Sequence, residues 1–223
     1  MADQQSKQHA ETEARQGSSN DADATRADIL RVAATEFAAK GLAGARIDEI
    51  AEQTRSSKRM IYYYFGSKEI LYRAVLEQSY AGIRESEADR HFEDRPALEA
   101  LRAHVEHALD YHLAHPEFVR LVMNENIHRA QHLGSVEGIR DRNSHVVASM
   151  QAIIDKGQAE GVFRDGINAL ELHLQISSLC FYVVSNRHTI QTIFQLDMSD
   201  PQVIAARRRA IADTIIAAVR KPD

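Results

Sequence analysis

Residues 55–69 read RSSKRMIYYYFGSKE: four consecutive aromatic rings set among Arg55, Lys58, Arg59 and Lys68, with no acid before Glu69. A core strand can be as aromatic, but it seldom carries four cations in so short a length. Gly66 and Ser67 break the run, and the polar turn TRSS, residues 54–57, precedes it. Between these breaks the spacing predicts a short helix over 58–64. Before the turn, IDEIAEQ (47–53) predicts another, with Ile47, Ile50 and Ala51 facing inward. Two short helices joined by a polar four-residue turn make a helix-turn-helix, whose second helix enters the major groove of duplex DNA. The side chains suit that surface. Arg and Lys release counterions from phosphate, and Tyr hydroxyls and helix N-terminal amides hydrogen-bond phosphate oxygens. Tyr62 and Tyr63 point about 100° apart on a helix and so have different tasks, one ring on the backbone and the other toward base methyls or a sugar. Ile61, Tyr64 and Phe65 include the residues that pack inward.

Outward from this stretch the pattern stays helical. Thr25 and Asp28 resemble a capping box with Asp in place of the usual Glu. Ile29, Val32, Ala33, Glu36 and Phe37 then follow at helical spacing, Glu36 being the one polar entry, and Gly41 supplies a left-handed stop, giving a first helix over 26–40. Ser67 caps a fourth helix that runs from Lys68 to about Ala88. Asp94 and Pro96 open the next, Pro116 another, and Ser135 caps a long one that Gly161 ends. Residues 168–195 read as one apolar helix, and Asp200 and Pro201 start the last, ending near Arg220. The fold class expected is all-α: an N-terminal three-helix helix-turn-helix domain and a C-terminal helical bundle. Residues 1–22 read as a disordered polar tail, 23–70 as the DNA-binding domain and 71–223 as a separate helical body.

Composition sets bounds on function. The 223 residues are 44% hydrophobic, enough to bury a sizeable core, and 4 prolines with 10 glycines favour long helices. One cysteine excludes a disulfide framework and fits a reducing compartment. With no apolar leader and no apolar run of the roughly 20 residues that a membrane helix needs, the expected location is the cytoplasm, away from any membrane. The net charge of −5 is unevenly spread: residues 26–73 hold nine cations and six acids, leaving −8 on the remainder. A basic end on an acidic body suits contact with a polyanion.

The stretch IDEIAEQTRSSKRMIYYYFGSKEILYRAVL resembles the DNA-binding head of the TetR (tetracycline-repressor) family of transcription regulators. Gly41, Ile50, Ala51, Tyr62, Phe65, Ser67, Lys68, Glu69 and Leu71 fall on that family's pattern, over residues 25–76. By this resemblance Tyr62 and Lys68 grip phosphate. The departures are informative. The family's A-G-V-S turn is here Thr54, Arg55, Ser56, Ser57, so that Arg55 either adopts a left-handed conformation or belongs to a differently shaped turn. The Thr that often caps the second helix is Arg46, a poor cap but a ready phosphate ligand. The usual Gly-Thr early in the third helix is Arg59 and Met60, which implies a different operator, read partly by Lys58 and Arg59 through guanine O6 and N7 or held through phosphate alone. The DNA-contacting set expected is therefore Arg46, Arg55, Ser57, Lys58, Arg59, Tyr62, Tyr63 and Lys68.

The resemblance further implies a body that binds a small inducer and dimerises. His104, His107 and Tyr111 share one helical face. Phe118, Leu121, Val122 and Asn126 form an adjacent stripe, as do Asn143, Val147 and Met150, and then Cys180, Phe181, Val184 and Arg187. From these, His107, Tyr111, Phe118, Val122, Asn126, Asn143, Val147, Cys180, Phe181 and Arg187 are the expected ligand-binding residues; each has as its plain alternative a surface position or a satisfied core hydrogen bond. The segments HPEFVRLVMNEN and CFYVVSNRHT resemble the branch that includes regulators of nicotinate degradation, which favours a small aromatic or heterocyclic acid as inducer. IQTIFQL and IIAAV carry more apolar residues than one core contact uses, and a twofold partner would bury the excess, giving a homodimer on a palindromic operator. His128 and His132, at i and i+4, allow two metal ligands, but no third stands near, and neither metal nor cofactor is expected. No nucleophile–base set or Gly-rich phosphate loop points to an enzyme. The function expected is a ligand-responsive transcriptional regulator, a repressor released from its operator by a small molecule; the alternative is a helical ligand-binding or interaction module that leaves DNA alone.

Overall fold

The computed structural model describes residues 21–222 apart from 89, 91 and 137, without the side chains of 88, 93 and 140–143. The tail expected over 1–22 thus lies outside the described residues except for Asp21 and Ala22. Among the described residues ten helices follow in order: α1 (Ala2–Gly44, described from Asp21), α2 (Ile47–Gln53), α3 (Lys58–Phe65), α4 (Lys68–Ala88), α5 (Ala97–Ala114), α6 (Pro116–Ile127), α7 (Ile139–Ala159), α8 (Ala169–Ser185), α9 (Arg187–Phe194) and α10 (Pro201–Val219). The chain divides into two compact units between Val75 and Leu76, inside α4.

The first unit is built on the inner face of α1. Ile29, Val32, Ala33 and Phe37 are buried with Ile47, Ile50, Ile61, Phe65, Leu71 and Tyr72, and the Phe37 and Tyr72 rings meet edge to face at 5.0 Å. Glu36, polar on an apolar face, is buried as well, and two partners explain it: its carboxylate accepts the Arg46 backbone N–H at 3.2 Å and pairs with Lys40 at 3.1 Å. Lys40 also pairs with Glu49, so one lysine ties α1 to α2. Two local expectations change. Thr25 does not start a helix; it lies within α1 and its hydroxyl donates to Asp21 O, while Asp28 pairs with Arg31. Gly41 does interrupt the helix, three residues before the end of α1, with a positive φ of 66°, but its ψ of 175° is extended rather than helical, a region that in practice only glycine occupies.

The second unit centres on α5, which packs against α7, α8 and α10. Leu101, Val105, Leu109, Met150, Ile153, Cys180 and Ile215 fill that core. A smaller cluster of Ile83, Tyr111, Phe118, Val119 and Val184 joins α4, α5, α6 and α8. Helix ends follow the chemistry of their caps. Asp200 accepts Gln202 N–H at 2.7 Å ahead of Pro201, and Asn168 caps α8 through Glu171 N–H. Pro96 stands just before α5, whose first amide, Ala97 N–H, is held by the Glu160 carboxylate at the far end of α7. Ser135 caps no helix: it ends a 3-10 turn, its hydroxyl donates to His132 O, and α7 begins only after Gly138, at φ 66°. The single apolar helix expected over 168–195 is two, α8 and α9, parted at Asn186, whose φ of −105° and ψ of 7° leave the helical region. The connector after α7 pairs with the C-terminus: Arg164 N–H donates to Val219 O and Lys221 N–H to Val162 O, each at 2.9 Å.

Candidate functional site

The surface of the first unit is set by how α3 is held. Ile61 and Phe65 anchor it inward, and Arg26 lies over the Phe65 ring at 5.3 Å. Ser57 caps it, its hydroxyl accepting Met60 N–H at 3.3 Å. The residues between anchors then face out: Arg55, Ser57, Lys58, Arg59, Tyr62 and Tyr63 are all exposed, Tyr63 most of all at 77%. Tyr64 is half-buried and packs its ring edge to face on Tyr63 at 5.5 Å.

The turn without glycine needs no left-handed residue. Arg55 is absent from the positive-φ positions. Thr54 ends α2 in extended conformation, its hydroxyl donates back to Ala51 O, and the same oxygen accepts Ser56 N–H at 3.2 Å. Arg55 N–H reaches Asp28 on α1 at 3.3 Å. A Thr-centred turn braced from α1 replaces the glycine turn, which decides between the two shapes the sequence allowed.

Charge on this face is partly spoken for. Lys58 pairs with Asp48 at 2.9 Å, tying the start of α3 to the start of α2; the bond pushes the Lys58 ammonium up and holds the Asp48 carboxyl down. Arg59, beside it, has no ion pair among the described residues. Arg46 stands exposed just before α2 and makes no side-chain cap, as its residue type implied. Lys68 is half-buried, and its ammonium donates to Ala45 O at 3.2 Å, closing the link between α1 and α2. Ser67 caps α4 by accepting Ile70 N–H.

In the second unit, α4, α5, α6 and α8 bring together a set of rings and polar groups. His107 Nε2 lies 3.1 Å from Ser86 Oγ; since that hydroxyl donates to Ile83 O, the imidazole is the donor. Tyr111 stacks on His115 at 4.0 Å and meets Phe118 edge to face at 6.0 Å. Val122 and Phe181 pack against the same cluster. His107, Tyr111, Phe118, Val122 and Phe181 thus gather at one place. The other expected ligand-binding residues do not join them. Cys180 is in the main core, its thiol donating to Val105 O and pushed up to about 12 by burial. Val147 packs against that same core. Asn126 is exposed, its amide bonded back to Val122 O. Arg187 lines an outer cleft with Arg120, Met123 and His188, its Nε 3.2 Å from His188. The Asn143 side chain lies outside the described residues.

Several members of the set escaped the list of expected ligand-binding residues, although His104 was placed on the face of His107 and Tyr111. Arg84, on α4, pairs with Glu87 at 2.6 Å, and burial pushes the Glu87 carboxyl up. Tyr80, one turn before Arg84, meets Phe118 at 5.4 Å. His112 stacks on Phe118 and meets Phe181, and His104 meets Phe92 at 5.3 Å. Burial, with help from Arg84, lowers His104 to about 3 and His112 and His173 to about 4, so all three imidazoles are neutral near pH 7. The signal was there: Tyr80, Arg84 and Glu87 recur at helical spacing on α4, as His104, Tyr111 and His112 do on α5. Elsewhere, His132 Nδ1 pairs with the buried Glu125 and His128 Nδ1 lies against Asn124 O, so both nitrogens serve local structure.

Comparison with known proteins agrees with this geometry. Residues 29–75 match the model of bacterial regulatory proteins of the tetR family, and residues 98–215 match the tetracyclin repressor-like C-terminal domain. The chain is 38% identical over 200 residues to the HTH-type transcriptional repressor NicS of Pseudomonas putida, covering 90% of this chain and 94% of that one. It is 34% identical over 164 residues to the HTH-type transcriptional repressor SCO4008 of Streptomyces coelicolor, covering 74% and 80%. Among solved structures it shares the fold of the ketosteroid transcriptional regulator KstR2 of Mycobacterium tuberculosis, with a TM-score of 0.66 at 20% identity over 88% of this chain and 95% of that one.

Proposed function

The chain belongs to the tetR family of bacterial regulatory proteins, and we propose on that premise that it is a repressor whose paired heads occupy a near-palindromic operator until a small molecule releases them. That it is a ligand-responsive, DNA-binding transcriptional regulator follows from the family; the family is one of regulators, not enzymes. The observation that carries the DNA-binding role is α3 itself, anchored inward by Ile61 and Phe65 and presenting Arg55, Ser57, Lys58, Arg59, Tyr62 and Tyr63 outward. We assign Arg59 and Lys58 to base edges or phosphate, and Tyr62, Lys68 and Arg46 to phosphate. The inducer is a small aromatic or heterocyclic acid taken up among His107, Tyr111, Phe118, Val122 and Phe181. Its binding shifts the population toward a state whose heads are wrongly spaced for DNA, through α4, the helix in which the chain passes from one unit to the other.

The homodimer rests on exposed apolar residues. Leu170, Leu174, Leu179 and Tyr182 stand out from α8, and Ile193 and Phe194 from the end of α9. The last helix contributes less than its sequence promised, since Ile215 and Val219 are used up in the chain's own core. No helix among the described residues is long and apolar enough to cross a membrane, and we place the protein in the cytoplasm with its DNA.

A gel-shift titration against the DNA upstream of its own gene tests this reading. A retarded complex containing two chains, lost as salt rises, is the expected result. Equal affinity for that fragment and for unrelated DNA would refute the repressor assignment.

A further inference from the structure

The outer cleft that holds Arg187 lies between α6 and the break where α8 gives way to α9, and measures about 130 Å³. That is below the roughly 300 Å³ at which pockets for drug-sized molecules begin, so its occupant is small. Val119, Met123 and Val184 form its apolar side. Val119 and Val184 also belong to the cluster of Tyr111 and Phe118. The two valines are therefore a wall, with the aromatic cluster behind it and the cleft in front.

The charge of the cleft is not balanced from within the chain. Two guanidiniums, of Arg120 and Arg187, line it, and no carboxylate does. Neither arginine has an ion pair among the described residues, and Arg187 is half-buried. Taking a cation partly out of water with no counter-charge is unfavourable, so an anion that meets both guanidiniums has a place prepared for it. Arg187 is also held in position. Its Nε donates to His188 Nε2 at 3.2 Å, which orients the planar fork and leaves the N–H groups of both Nη atoms for a ligand. Ser185 Oγ accepts the Asn186 side-chain amide at 2.8 Å, so its own proton remains to be donated. These donors discriminate between anions. A carboxylate answers one of the two positive charges, a phosphomonoester dianion both. The two forks with the Ser185 hydroxyl also offer more N–H and O–H groups than the about four lone-pair sites of a carboxylate can take, and they suit the three terminal oxygens of a phosphate.

We propose that this cleft binds a small organic phosphate, a phosphomonoester whose dianionic head lies between Arg120 and Arg187 and whose short apolar tail rests on Val119, Met123 and Val184. It is a second site, separate from the place assigned to the inducer, and does not depend on that assignment.

The test is titration calorimetry at pH 7.5 on the full chain with three probes: n-propyl phosphate, inorganic phosphate and butyrate. Propyl phosphate should bind tightest. Inorganic phosphate should be weaker by about fourfold or more, the effect of burying one methylene, and butyrate by about tenfold or more, since one guanidinium loses its partner. Arg120→Gln and Arg187→Gln should each weaken propyl phosphate by about tenfold or more. Arg120 is exposed, so its variant folds, and unaltered melting without ligand shows that the loss is one of binding. Inorganic phosphate or butyrate that binds as well as propyl phosphate, variants of unchanged affinity, or no binding of propyl phosphate would each overturn the proposal. Two further measurements on Arg187→Gln separate other sources of the anion. Light scattering should find the same assembly as for the unaltered chain, and operator gel shifts the same salt slope. A fall to single chains would give the cleft to a carboxylate of the second copy, and a shallower slope would give it to a DNA phosphate; either result would overturn the proposal. The calorimetry reads the cleft whether or not the chain binds its operator, so this site and the regulator reading fail separately.

Discussion

Single residues set the limits of this molecule at two places. Gly41 sits at φ 66°, ψ 175°, and a Cβ there would meet nothing within 4 Å. Gly41→Ala therefore adds no clash, only backbone strain, and should destabilise by about 1–3 kcal/mol in urea unfolding. A loss near zero would mean that the kink at Gly41 can relax into an ordinary conformation. At the DNA face, Asp48 holds Lys58. Asp48→Asn frees that ammonium and removes a negative charge beside the phosphates, so affinity for all duplexes should rise and the salt dependence steepen by up to about one unit. A slope that does not change would show that Lys58 keeps its place without Asp48 and adds no phosphate contact.

At the scale of elements, tight approach decides what is tolerated. An added Cβ on Gly157 would lie 2.2 Å from the Phe163 ring, where the chain leaves α7 and turns back toward its C-terminus. Gly157→Ala should cost about 1–3 kcal/mol through overpacking, although alanine is the better helix former. Unaltered or raised stability in thermal melts would show that the Phe163 ring is free to move aside. Helix ends were legible where the cap is local: Ser67 and Asp200, read as starts, bond amides two or three residues on, and Ser57 and Asn168 do the same at starts that the spacing alone placed. The break at Asn186 was not legible, because the apolar spacing of α8 and α9 continues across it and only the backbone departs from helix. Ser135 and Thr25 failed as caps for a related reason: a hydroxyl serves a preceding carbonyl as readily as a following amide.

For the whole molecule, burial of neutral histidine makes folding depend on pH. His104 and His112 titrate near 3 and 4 when folded, against about 6.5 when unfolded. The unfolded chain then binds more protons below pH 6.5, so stability falls as pH drops from there toward 4, by up to roughly 1.4 kcal/mol per pH unit for each histidine. Urea midpoints at pH 7.5, 6 and 5 measure it, and the His112→Phe protein should show the shallower slope; an identical slope would mean that His112 is protonated in the fold. Assembly has its own test. Leu174 is exposed at 48% amid Leu170, Leu179 and Tyr182. Leu174→Glu should yield monomers by light scattering and abolish high-affinity operator binding, since one head makes half the contacts; a dimer that survives would place the twofold contact elsewhere.

The sequence by itself determined the head: turn residues, caps, period and cations all act within a few residues of one another, so the helix-turn-helix and its exposed cations could be read directly. It also marked His107, Tyr111, Phe118, Val122 and Phe181, whose spacing places them on helical faces. Only the tertiary structure decided which faces meet. Tyr80 from α4, Tyr111 from α5, Phe118 and Val122 from α6 and Phe181 from α8 are brought into one cluster by helix packing, whereas Arg187 and Asn126, equally plausible by composition, are turned to outer surfaces. Local chemistry fixes what a segment becomes; the long-range packing of apolar faces fixes what it touches.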